Sequence, residues 1–78
     1  MTKYILSKEK TGVVPINKDV YFEIEEVTKG YKIFWMSSVK QRQIGYYESF
    51  DRTKEILHEL LMFVISSSEN EYYIMPEK

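Results

Sequence analysis

Apolar and polar residues alternate over two neighbouring stretches of the chain. In VYFEIEEV, residues 20–27, Val20, Phe22 and Ile24 fall on one side, and Tyr21, Glu23 and Glu25 on the other. In YKIFWM, residues 31–36, Tyr31, Ile33 and Trp35 oppose Lys32, Phe34 and Met36. A period of two marks a half-buried strand. Thr28-Lys29-Gly30 joins the two as a tight hairpin loop, with Gly30 expected at a positive φ. SSVKQRQ, residues 37–43, reads as a longer polar loop. IGYYES, residues 44–49, reads as the last strand of the meander, with Ile44 and Tyr46 opposite Gly45 and Tyr47. Upstream, KYILS (3–7) is a short strand and KEKTG a polar turn. VVPI (13–16) is an extended piece that Pro15 confines to an edge or a bulge, because proline donates no ladder hydrogen bond. Asn17-Lys18-Asp19 is the next turn signal.

The period then changes. Phe50, Leu57, Leu60, Leu61 and Val64 fall on one helical stripe. Ser49 precedes them as an N-cap, its hydroxyl able to accept from a free amide of the first turn. Asp51 in that turn suits the helix dipole. The helix is predicted from about Phe50 to Ser67, ending in the SSSEN cluster, whose side chains compete for backbone hydrogen bonds. EYYIM, residues 71–75, is a short terminal strand that Pro76 stops. The pattern predicts an α+β fold: an antiparallel β-meander packed against one long C-terminal helix, with a short terminal strand. The 78 residues are expected to form a single domain, 1–78, without repeats or a linker.

Composition narrows the functional classes. Hydrophobic residues make up 44% and charged residues 29%, as in a folded domain. Eleven basic residues against twelve acidic ones leave a net charge of -1, which disfavours bulk attraction to nucleic acid or anionic membranes. With no cysteine there is no thiol nucleophile or thiolate metal site. The longest apolar run, LLMFVI, is too short to span a bilayer. MTKYILSKEK does not read as a signal peptide, so the expected location is cytoplasmic.

Chemistry-bearing residues are sparse. His58-Glu59 resembles the start of a zinc-protease helix, but the position four residues on is Met62, and the chain has no second histidine. Asp51, Glu55 and Glu59 recur at i, i+4 with Arg52 and Lys54 interleaved, which reads as a solvated helix face. Glu23, Glu25 and Glu26 read as a solvent face and an edge guard. There is no glycine-rich phosphate loop and no nucleophile elbow. The expectation is a non-enzyme without cofactor or metal.

Ile56 and Phe63 on one flank and Ile65 on the other widen the apolar arc of the helix to about 200°, against the roughly 100° that one covered face requires. The excess suggests a protein partner, either a second copy in a homodimer or a host protein. The expected interaction surface is Ile56, Leu60 and Phe63 with the terminal strand Tyr72, Tyr73, Ile74 and Met75. The alternative is a nucleic-acid-binding module, with Lys40 and Arg42 contacting phosphates and Lys32, Phe34 and Tyr47 on an aromatic sheet face.

Residues 44–49, IGYYES, are followed by Arg52-Thr53-Lys54-Glu55-Ile56-Leu57, and the chain closes on Tyr73-Ile74-Met75-Pro76-Glu77. This run resembles small uncharacterised proteins of Gram-positive bacteria and their phages. Those proteins show an apolar-Gly-x-Tyr-x-Ser strand end, a helix with Ala-Lys-x-Val-Leu, and a Tyr-x-Met-Pro-Glu ending. Thr53 stands where the pattern has alanine. The resemblance covers residues 44–77, implies an accessory, often prophage-encoded protein, and brings no catalytic residues with it.

Overall fold

The computed structural model describes residues 3–9, 12–16, 19–65 and 72–78. The turn residues Lys10, Thr11, Asn17 and Lys18, the helix end expected in 66–70, and Glu71 lie outside them. The elements are β1 (Lys3–Leu6), β2 (Val13–Ile16), β3 (Tyr21–Val27), β4 (Gly30–Met36), β5 (Gln41–Tyr47), α1 (Phe50–Ile65) and β6 (Tyr72–Ile74). The α+β class, the meander, the single helix and the short terminal strand all follow the hydrophobic pattern.

The strands divide into two sheets. β3, β4 and β5 form the antiparallel meander; β1 sits between β2, antiparallel to it, and β6, parallel to it. A parallel partner requires a long connection, and here the meander and the helix both lie between β1 and β6 in the chain. The two sheets are tied where the Lys8 amide donates to the Ile44 carbonyl at 2.9 Å, and where the Trp35 indole donates to the Pro15 carbonyl at 2.8 Å. Their inner faces and α1 enclose one core of Ile5, Val14, Ile33, Trp35, Ile44, Tyr47, Ile56, Leu60 and Met75.

Three local expectations change. First, Gln41, Arg42 and Gln43 belong to β5, and the preceding loop is a short turn in which the Ser37 amide donates to the Lys40 carbonyl at 2.8 Å. Second, β5 bulges. Ile33 pairs with Gly45 and Phe34 with Gln43, so Ile44 is the extra residue. The strict alternation expected there fails: Ile44 and Tyr47 both enter the core, while Tyr46 takes the outer face opposite Lys32. Gly45 sits at the bulge because a Cβ there would lie 2.8 Å from the Tyr47 ring. Third, Gly30 does not occupy the left-handed region. It is required because a Cβ would lie 2.6 Å from the Tyr47 carbonyl oxygen.

The helix begins as the sequence predicts. Ser49 Oγ accepts from the Arg52 amide at 3.2 Å, and the Thr53 amide donates to the Ser49 carbonyl at 3.0 Å. Its buried line is Thr53, Ile56 and Leu60. Phe50 and Leu61, expected to be buried, are 47% and 49% exposed. The helix is therefore rolled by about 60° from the predicted stripe, at 100° per residue. The roll brings Thr53 into the core, where its hydroxyl is satisfied by donating to the Ser49 carbonyl at 2.7 Å.

Candidate functional site

In β1, Ile5 points into the core and is fully buried, so Tyr4 and Leu6 point the other way. Register carries that parity to the neighbouring strands. Tyr4 lies between Pro15 and Tyr72, and Leu6 between Val13 and Ile74. The outer face of the β2–β1–β6 sheet is thus two rows of three side chains: Pro15, Tyr4, Tyr72 and Val13, Leu6, Ile74. None carries a charge. Tyr72 is 62% exposed, Ile74 59% and Val13 50%. The Tyr4 and Tyr72 rings stack with centroids 5.6 Å apart, which orders the face without hiding it. An outer sheet face is ordinarily polar; here it is apolar throughout.

The residues expected to form the interaction surface are divided. Tyr72 and Ile74 are on the exposed face. Ile56, Leu60 and Met75 are at most 1% exposed and belong to the chain's own core, so they present nothing to a partner. Phe63 and Tyr73 are half-buried and pack on each other, centroids 5.7 Å apart. Lys3 Nζ sits 5.1 Å above the Phe63 ring and donates to the Phe63 carbonyl at 2.6 Å. The Ile56–Leu60–Phe63 side of the arc is thus consumed internally, where the second sheet covers it, whereas Phe50, Leu61 and Ile65 stay 47%, 49% and 74% exposed. Tyr4, Leu6, Val13 and Pro15 join this face in addition to the residues expected from the sequence. Their signal in the sequence is that YIL and VVPI are apolar on both faces, the pattern of a strand with two covered sides.

The nucleic-acid set is not brought together. Lys32 and Phe34 lie on the outer face of the meander, where their β3 neighbours in register are Glu25 and Glu23. Arg42 pairs with Trp35 on the opposite side of the sheet and lies against Gly12. Lys40 is in the β4–β5 turn. Tyr47 is 3% exposed and cannot stack on a base, because the bulge at Ile44 turns it inward.

The charged groups of the helix pair across its wet face: Arg52 with Glu55 at 3.5 Å and with Glu59 at 3.8 Å, and Lys54 with Asp51 at 3.8 Å. Such exposed pairs contribute little. His58 is exposed, and among the described residues no group of three histidine, aspartate or glutamate side chains could hold a metal ion. An open cleft of 490 Å³ at the helix N-terminus is lined by both charge signs, Lys8, Arg52 and Lys78 with Glu48 and Glu77. Lys8 Nζ already donates to the Tyr46 carbonyl, and Arg52 Nε to the Lys78 carbonyl at 2.9 Å. No helix among the described residues is long and apolar enough to cross a membrane.

Two tyrosines are perturbed. Burial pushes Tyr47 up to about 12; the Arg52 charge lowers it and the Glu59 charge raises it further. Tyr73 is raised by burial and then by its hydrogen bond to Glu59, 2.8 Å long. Both are therefore neutral donors at ordinary pH, which suits structural roles. No family model, no curated protein and no solved structure matches the chain.

Proposed function

We propose that the protein is a small cytoplasmic accessory protein that acts through protein contacts and self-associates through the outer face of the β2–β1–β6 sheet. The observation that carries this reading is the uncharged double row of Val13, Leu6, Ile74 and Pro15, Tyr4, Tyr72. Exposed apolar surface of this continuity is costly unless it is covered. A second copy is a suitable cover, since a twofold contact sets no like charges against one another. Two copies joined here would remove on the order of 1,000 Å² from water, the lower limit for a specific contact. The likeness of residues 44–77 to small phage-type proteins agrees with an accessory role and with the lack of catalytic residues assigned in that pattern.

Light scattering at tens of micromolar tests the reading. The expected mass is twice that of the chain, falling to one chain in a Tyr72→Lys/Ile74→Lys double variant. A monomeric native protein, or a dimer indifferent to that double variant, overturns it.

A further inference from the structure

The two sheets have four outer edges, and three of them are blunted. β2 carries Pro15, which lacks an N–H; β6 is three residues long; β5 is bent by its bulge and gives the Ile44 carbonyl to Lys8. β3 differs. It runs seven residues, Tyr21–Val27, without proline, glycine or bulge, and pairs one to one with β4 along its whole length. Among the described residues, no other backbone bonds to its far side.

The side chains beside that edge are sorted by face. Phe22 and Ile24 are half-buried at the margin of the core, with the exposed Glu26 next in their row, and Glu23 and Glu25 are exposed on the outer face. On the helix above, Glu59 and Phe63 are turned toward Tyr73 and the second sheet. The opposite flank, with Leu57 half-buried and Leu61 49% exposed, is therefore turned away from the second sheet. A strand laid along β3 would meet backbone donors and acceptors, apolar surface on its inward side and carboxylates on its outward side.

We propose that the open edge of β3 accepts an extended segment of another protein whose side chains alternate apolar and basic. Main-chain hydrogen bonds supply affinity in such strand addition, and alternate side chains supply selectivity. Inward apolar residues would pack beside Phe22 and Ile24; outward lysines or arginines would lie next to Glu23 and Glu25. The same carboxylates reject a second copy of β3. Antiparallel self-pairing sets the glutamates of one strand against those of the other, and like charges directly opposite destabilise a ladder. This edge belongs to the other sheet from the apolar face proposed for self-association, and the inference holds whether or not the chain dimerises.

The probe is a labelled ten-residue peptide of alternating valine and lysine. Its controls are a peptide of the same composition with the valines and lysines in separate blocks, and an alternating valine–glutamate peptide. Binding is read by fluorescence anisotropy, and its place by amide hydrogen exchange. The alternating valine–lysine peptide is expected to bind in a salt-sensitive way and to slow exchange in residues 21–27. The blocked peptide should bind roughly tenfold more weakly. A Glu23→Lys/Glu25→Lys variant, its fold checked by circular dichroism, should prefer the valine–glutamate peptide. If that variant does not fold, Glu23→Gln/Glu25→Gln should lose the preference for lysine. Equal binding of the blocked peptide, protection confined to other strands, or an unchanged preference in the charge variants would overturn the proposal.

Discussion

The phenol of Tyr47, at the end of β5, donates a 2.6 Å hydrogen bond to the carbonyl oxygen of Pro76, just beyond β6. Residues 29 positions apart are joined by a side chain that is itself buried, so the segment after β6 is fastened to the core. Tyr47→Phe should cost about 1 kcal/mol, the usual worth of such a bond. Urea titration measures the loss, and hydrogen exchange should show faster opening of β6 than of the meander.

The same tyrosine gives a pH dependence. An unfolded tyrosine ionises near pH 10, and Tyr47 in the fold near 12, chiefly because burial penalises the phenolate. Below pH 10 both states hold the proton and stability is unaffected by this group. Above it the unfolded state releases its proton first, so stability falls as pH rises from about 10 to about 12. Tyr73 is shifted in the same direction, so Tyr47→Phe should flatten the decline only in part. Urea midpoints at pH 8, 10 and 11.5 in both proteins provide the comparison.

Leu60 and Leu61 are neighbours with opposite fates: one is fully buried and the other 49% exposed. Leu60→Ala should cost roughly 2–5 kcal/mol through lost burial and the cavity left behind. Leu61→Ala should cost less than about 1 kcal/mol, as surface substitutions do. Similar losses from both would mean that the helix packs by a different face.

Ser49 caps the helix through the Arg52 amide. Ser49→Ala should cost about 1 kcal/mol, while Ser49→Asp should retain most of the stability because a carboxylate caps equally well. Thermal melts of the two variants separate capping from any other use of the hydroxyl.

Gly30 faces the Tyr47 carbonyl, and a backbone atom cannot step aside as a flexible side chain can. Gly30→Ala should therefore destabilise by roughly 1–3 kcal/mol, the range seen for overpacking. A neutral or stabilising effect in chemical denaturation would show that the two strands can separate locally.

Short-range physics explains what was legible along the chain. Alternation set β3 and β4, the change to a helical period set α1, and Ser49 set where the helix begins, because each depends only on residues within a turn or a strand. The bulge at Ile44 was foreshadowed by Gly45, yet its consequence, Tyr47 turned inward and Tyr46 outward, depends on which β4 residue each one meets. The roll of the helix depends on a competition between apolar side chains, and packing against two sheets favoured Thr53 and Ile56 over Phe50 and Leu61. The parallel pairing of β6 with β1 joins opposite ends of the sequence, and no local pattern encodes it. That pairing sets Tyr73 beside Ile5 on the inner face and leaves Tyr72 and Ile74 outside. The sequence by itself determined which segments are strands and which is the helix; the tertiary structure alone decided which apolar residues remain at the surface, because burial is a property of what packs on what.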